Sequence, residues 1–569
     1  MKRRRLLAAV VMALLLFPLA AGSVAGKVFP IGDRLYGMAD ALFVSAGYAQ
    51  PSASRPWTAA EARNEMSVLD TSVLDGNQKR LYDMIMEIIG GPVDEELLSV
   101  DVELSPEAYF HTNEAYATYE MWAYSFNERK PFATIGIQAG LGPFYTYCEL
   151  GYGWGRITNK DGSESLEALA IENSGGWYGL GAIVPVEDGN LRIITKSDVY
   201  SRRFLFNFPA ITQIEIDVPR KTFFTLAWDN FSFGIYRGRK QWGTSGIGNF
   251  IFDDHVSTLN YATFKVFGRK FAFDYTLMIP AQTYSNSQTE LFPAQFRRIF
   301  AAHRLDVRLL KNLTFAVSEN VMYKFDFPDV DVLNPASIYH NNTNSLLLNA
   351  IAHMELQYVP VPGFRAFMQF CLDQATAPTE ADTQDPAFAL SGGLEFVRVM
   401  EGGSLDLGLE CAWTTPALYR RNSVDFLIWT NNDTNNPYIR YPVFTYLGFR
   451  YGGDAIVVSA DAEYSMFNGL GFKANATVVC KGGFSMTDSH NRDNDNSDVP
   501  NLHLKTPSDP VSVWYIIQLG TEYRTTLFGL PVNCFVDVAW LSGVRGWHGN
   551  AGNDLQISLG VSMGTREQN

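Results

Sequence analysis

The stretch Arg237 to Asp254, "RGRKQWGTSGIGNFIFDD", gathers Arg237, Arg239, Lys240, Trp242, four glycines and the acidic pair Asp253 and Asp254. A guanidinium fork grips carboxylates with two parallel hydrogen bonds. An indole lies flat on the apolar face of a sugar ring while its N–H stays hydrated. Together these groups could hold an acidic glycan. A phosphate-cradling loop needs its glycines to run into a helix whose N-terminus meets the anion. Here "GTSGIGNFIFDD" leads into "STLNYATFKVFG", a strand pattern, so a phosphate loop is excluded. The stretch reads as a barrel strand, a glycine-rich turn and a returning strand. On a strand Arg237 and Arg239 share one face and Lys240 takes the other. Inward cations would pair with inward carboxylates such as Asp274 or Asp373, lining a lumen instead of touching sugar. The G-x-S-x-G string at Gly560–Gly564 lies in an alternating strand run and not at a strand-to-helix elbow, no H-E-x-x-H helix occurs, and His303 and His340 lack metal-ligand spacing, so they read as polar lumen or loop residues. The sequence thus offers no recognisable catalytic cluster and calls for no cofactor. Asp493, Asp495 and Asp498 could offer carboxylates to Ca²⁺, but their loop lacks the EF-hand glycine and glutamate and reads as a solvated outer loop. Five scattered cysteines without a C-x-x-C pair form no thiolate site.

The N-terminus gives the address. Lys2 to Arg5 precede the apolar run Leu6–Ala21, and Ser23-Val24-Ala25 offers a small-x-small cut, the pattern of a secretory signal peptide over residues 1–25. A second candidate cut follows Ala49. Beyond it, Thr58 and Glu61 have capping-box spacing, and Leu81, Met84, Ile85 and Ile88 recur at helical spacing until Gly90-Gly91. These helices form a small periplasmic segment over residues 50–100, to which "DEELLSV" adds a turn.

From about residue 101 to 564 the period is two. Ile135, Ile137 and Leu141 alternate with Thr134, Gly136 and Gln138; Phe271, Phe273, Tyr275 and Leu277 with Ala272, Asp274 and Thr276; Met368 and Phe370 with Arg365, Gln369 and Asp373; Leu555, Leu559 and Val561 with Gln556, Ser558 and Ser562. A soluble sandwich also alternates. Long strands, aromatic clusters at their ends and an aromatic content of 14% tilt the balance to a transmembrane antiparallel β-barrel, apolar outside and polar inside. At about 25 residues per strand and connection, the barrel has on the order of 18 strands. Glu319 falls on the parity of Leu313, Phe315 and Val317, so a bulge or strand end is expected there. The net charge of −15 excludes nucleic acid as a partner.

"FSFGIYRGRKQWGTSGIGNFIFDD" resembles the signature of the Wzi-type capsule-assembly outer-membrane family, through Gly238-Arg239, Trp242-Gly243, Gly246, Gly248, Phe250 and Asp253 in that order. "AAHRLDVRLLKNLTFAVSENVMY" is similar to the family's His-Arg strand, here His303-Arg304. "LNPASIYHNNTNSLLLNAIAHMELQYVPVPGFRAFMQFCLDQ" is similar to its Tyr-His loop and a strand ending in an aspartate, here Asp373. The ordered set spans residues 220 to 375. The resemblance implies a closed outer-membrane barrel of about 18 strands behind a periplasmic helical bundle, acting as a lectin for capsular polysaccharide without turnover. Its partners would be surface polysaccharide and outer-membrane lipid, and the barrel would act as a monomer. The residues expected to bind polysaccharide or line the lumen are Arg237, Arg239, Lys240, Trp242, Asp253, Asp254, His303, Arg304 and Asp373. The competing class is a porin or a hydrophobic-solute channel, which would keep an open lumen.

Overall fold

A computed structural model of the chain describes residues 24–90, 96–112, 126, 130–152, 182–185, 191–194, 204–206, 219, 221–256, 259–280, 297–325, 330–339, 348–374, 386–420, 424–431, 442–484, 505–543 and 552–565. The aspartates at 493, 495 and 498 and His340 lie outside them. One antiparallel sheet closes on itself. Apart from Phe204–Phe206, which pairs with Glu107–His111, its strands neighbour one another in chain order, and the last, Gly552–Gly564, pairs with the first, setting Ile557 opposite Phe110 and Met563 opposite Leu104. With Glu96–Leu104 and Glu107–His111 counted as one stave, and the three-residue Phe204–Phe206, which only pairs with Glu107–His111, not counted as a stave, the barrel has 18 strands. The break in that stave falls at Ser105-Pro106, where proline has no N–H to give to the ladder. From Glu96 on, "DEELLSV" is strand and not a helical turn. Leu98, Val100, Val102 and Leu104 alternate with Ser99, Asp101 and Glu103, and that longer period-two run prevails over a helical signal of a few residues.

The alternation resolves as expected. Ile235, Leu409, Leu519 and Leu559 are exposed on the outside, while Thr276, Gln369, Asp537 and Gln556 are buried inside. So extended an exposed apolar surface marks a membrane interface, and an apolar band around a closed barrel is the form that strands give it. Among the described residues no helix is long and apolar enough to span a bilayer.

At one end the hairpins turn tightly, as at Gly142, Lys311-Asn312 and Pro362-Gly363. Three helices pack into that end: α1 (Arg34–Ser45), α2 (Ala59–Met66) and α3 (Gly76–Ile89). Leu42, Phe43, Leu81, Ile85 and Ile89 share a core with Val359, Val397 and Val399 of the wall. Gly363 N donates to Val44 O, and Ala49 N to Lys311 O. Thr58 caps α2 by accepting from Glu61 N, as the spacing predicts. The Glu61 side chain, however, turns into the barrel to Lys265, 3.0 and 3.1 Å from Nζ. The reciprocal capping box belongs to α3, between Asp75 and Gln78, and Gly90 ends that helix at φ +86°. Helix α1 lies between the two candidate signal cuts, where the sequence pattern predicts no element.

Glu319 needs no bulge. The only register shift between its strand and the one before it lies at Arg308/Leu310, and Glu319 faces outward opposite His303. Residues 330–339 fold back over the outside of the wall there. Tyr339 N donates to Glu319 Oε2 at 2.9 Å, Tyr275 Oη donates to Leu333 O at 2.7 Å, and Val332 and Tyr339 pack on Ile299, Ala301, Val321 and Leu348. His303 Nε2 lies 3.8 Å from Glu319. His303 is thus an outward residue under this strap, not a lumen residue. Replacing Glu319 by alanine is expected to leave Tyr339 N without its acceptor, to cost about 1–3 kcal/mol, and to open the strap to protease. Limited proteolysis of the folded barrel with mass mapping around 330–339 checks this.

Candidate functional site

The stretch from Arg237 to Asp254 does not return directly as a strand. Phe231–Gly238 ends, and the chain then folds into the lumen before the wall resumes at Leu259–Phe267. Gln241 and Trp242 pair with Arg55 and Ser54, so this loop and the N-terminal segment meet inside the barrel in a two-stranded ladder. The descent depends on glycine. Gly243 sits at φ +109°, and a Cβ there would stand 2.1 Å from Asn249 Oδ1; Gly248 sits at φ +131° against the Phe449 ring.

Asp274, on the inner face of Phe271–Met278, holds the base of the loop. It accepts from Lys240 Nζ (2.8 Å), Trp242 Nε1 (3.1 Å), Thr263 Oγ1 (2.6 Å), Thr276 Oγ1 (2.9 Å) and Ser54 Oγ. Lys240 and Trp242 are both 0% exposed. Burial pushes the Lys240 ammonium down to about 8, and the nearby Lys265 charge adds to this, while Asp274 pulls the other way.

Glu410, on Gly403–Thr414 across the lumen, holds the tip. It accepts from Ser245 Oγ (2.6 Å), Gly246 N (2.9 Å) and Ile247 N (3.4 Å). Arg365 Nη1 reaches Thr244 Oγ1 and Gln50 Oε1, both at 2.7 Å, and Gln369 Nε2 donates to Asn249 Oδ1 at 3.0 Å. Phe250 and Phe252 then pack with Phe300, Phe426 and Phe449 beneath residues 415–420, 424–431 and 442–454, where Tyr419 Oη donates to Phe250 O at 2.6 Å.

The loop reaches the surface at Asp254, beside the buried Asp253. Asp253 accepts from His255 Nδ1 and Arg450 Nε, each at 3.0 Å, and Asp254 from Arg450 Nη2 at 2.5 Å. Burial would raise the Asp253 pKa, but Arg450 and His255 more than offset it and hold the carboxyl well below the usual range. The Asp254 side chain is 37% exposed and that of Arg450 19%.

The other expected residues fall in separate places. Arg237 shares the outward face of Phe233 and Ile235 instead of the lumen, and its Nε donates to Pro219 O at 2.8 Å. Arg239 is half-buried beyond the strand end, and its carbonyl accepts from Tyr261 Oη. Arg304 is buried in the inner wall, bridging Asp306 and Glu355 at 2.7 and 2.9 Å. Asp373 accepts from Tyr419 N at 2.6 Å, beneath residues 415–420. Glu410, Arg450 and Gln369 are not singled out by any sequence pattern. Inward parity marks Glu410 and Gln369 as lumen residues, but nothing local says what they hold.

No protein-family model matches the chain, and no curated protein sequence matches it. Among solved structures, Wzi of Escherichia coli, an outer-membrane protein of group 1 capsule assembly described as a carbohydrate-binding β-barrel, aligns with a TM-score of 0.55 at 12% identity, over 96% of this chain and 100% of that one. OccK3 (OpdO) and OccK9 (OpdG) of Pseudomonas aeruginosa align more loosely, each with a TM-score of 0.38, at 9% and 10% identity over 82% and 83% of this chain and 94% and 98% of theirs. The likeness to Wzi is one of fold, and it extends over nearly the whole chain.

Proposed function

We propose that this chain is an outer-membrane barrel that binds and holds a surface polysaccharide on its long-loop side, as a monomer and without chemical turnover. The observation that carries this is that two segments of the chain pack inside the lumen. The N-terminal segment enters from the tight-turn end, residues 239–256 descend from the other, and buried ion pairs lock both to the wall. A diffusion channel needs a continuous aqueous path with a charged or narrow constriction, whereas a binding protein only needs a rigid frame that presents its rim. Wzi, which has this fold, binds carbohydrate, and that supports the same ligand class here. The rim groups suited to it are Arg239, Asp254 and Arg450, which join cationic forks to an acceptor for hydroxyls.

Two measurements test the proposal. In planar bilayers the purified barrel should show no steady conductance. On a glycan array it should retain acidic polysaccharide, with Arg239→Ala and Arg450→Ala each weakening retention about tenfold, near 1.4 kcal/mol. Trp242→Phe, a buried change, should leave the affinity of the folded protein unaltered. Large steady conductance with no glycan retained would replace the lectin by a channel.

A further inference from the structure

Residues 24–29 are built into the tight-turn mouth of the barrel. Val24 is 0% exposed and lies against Gly140, where an added Cβ would come within 2.7 Å of Val24 Cγ2. Ala25 N donates to Gly142 O at 3.0 Å, and Ala25 O accepts from Ala60 N at 3.0 Å. A Cβ on Gly26 would meet Pro143 O at 2.6 Å, and Gly26 O accepts from Thr225 Oγ1 at 2.5 Å. Val28 and Phe29 pair with Thr58 and Trp57, and α1 follows directly.

We infer that the exported chain is processed on the N-terminal side of Val24, after Gly22 or Ser23, and that Val24-Ala25 belongs to the mature protein as a pin that fastens α2 to the first wall hairpin. A cut after Ala25, which the Ser23-Val24-Ala25 triplet suggests, would remove the pin and leave Ala60 N and Gly142 O without their partners. A cut after Ala49 would also remove α1 from its core with α3 and the wall. Two other triplets have the small-x-small form and end before the pin: Ala20-Ala21-Gly22 and Ala21-Gly22-Ser23. Signal peptidases act on the extended chain during export, so the burial of Val24 in the folded barrel is no obstacle. The inference rests on export of this chain to the outer membrane.

The test is expression of the full chain in a Gram-negative host, fractionation of the envelope, and mass spectrometry of the N-terminal peptide in whichever fraction holds the protein. A start at Ser23 or Val24 upholds the inference; a start at Gly26, at Gln50 or at Met1 overturns it. Fractionation reports separately on membrane placement, so a failure of export is told apart from a misplaced cut. Ala25→Leu adds a second arm that does not depend on folding. Leucine at the residue before the scissile bond would block a cut after Ala25, so accumulation of precursor to several times the wild-type level would overturn the inference. Wild-type processing is expected.

Discussion

Glu410→Ala is expected to turn a silent barrel into one that opens. A single carboxylate receives the Ser245 hydroxyl and the backbone N–H groups of Gly246 and Ile247, and all three donors belong to the tip of the loop that packs inside the lumen. Hydrogen bonds to a charged group contribute about 1.5–3 kcal/mol each, and they are not fully additive, so losing this acceptor should loosen the tip by about 3–5 kcal/mol. Asp274 still holds the base and Arg450 still holds Asp253. The loop should therefore leave and re-enter the lumen, giving conductance bursts in planar bilayers where the wild type gives none. Glu410→Gln keeps one acceptor oxygen without the charge and should fall between. If Glu410→Ala migrates as a folded barrel and yet stays silent, with residues 239–256 still resistant to protease, Glu410 is not the latch.

The largest loss of stability should come from Asp274→Ala. Asp274 joins three parts of the chain: the loop through Lys240 and Trp242, the N-terminal segment through Ser54, and the wall through Thr263 and Thr276. Removing it leaves a fully buried ammonium at Lys240 with Lys265 nearby. Breaking one side of a buried ion pair costs about 3–5 kcal/mol, because the remaining charge has neither water nor a partner. The unfolding temperature, followed by the heat-dependent shift in gel mobility, should fall clearly. The defect should also depend on pH in a stated direction. Lys240 in the folded wild type is already pushed down to about 8, whereas an unfolded lysine keeps its proton to about 10.4. Without Asp274 the folded value drops further. Between the two values the unfolded chain binds more protons, so the stability of Asp274→Ala should rise as the pH is raised from 7 towards 10. Pairing Asp274→Ala with Lys240→Met removes both charges and should recover most of the loss at every pH. A pH-independent defect, or no recovery in the pair, would show that the cost lies in packing and not in the stranded ammonium.

The wall is legible in the amino-acid order. Period-two alternation is a property of neighbouring residues, so Met368, Phe370, Arg365 and Gln369 take their sides from "FRAFMQF" alone, and the strand count follows from chain length and spacing. Helices α2 and α3 carry their own caps. "DEELLSV" and α1 are not legible in the same way, because both sit at a change of period, where only a few residues vote. Arg237 lies on the opposite side from the one that grouping it with Arg239 suggests. Arg239 is past the strand end, and the parity of Arg237 belongs with Phe233 and Ile235. Polarity alone misplaces His303 and Glu319, since a strap from residues 330–339 covers them on the outside.

By itself the sequence determined the closed, apolar-coated barrel, the helical segment before it and the stretch from Arg237 to Asp254 as the place to look. Only the tertiary structure decided what that stretch does. Its tip is fixed by a glutamate 165 residues further along, its base by a wall aspartate shared with the N-terminal segment, and its tryptophan is buried instead of offered to a sugar. Alternation tells which way a side chain points because one strand sets it. It cannot tell which inward carboxylate meets which inward cation, since that depends on how distant strands close around a common lumen and on how the chain entering from each end shares the space.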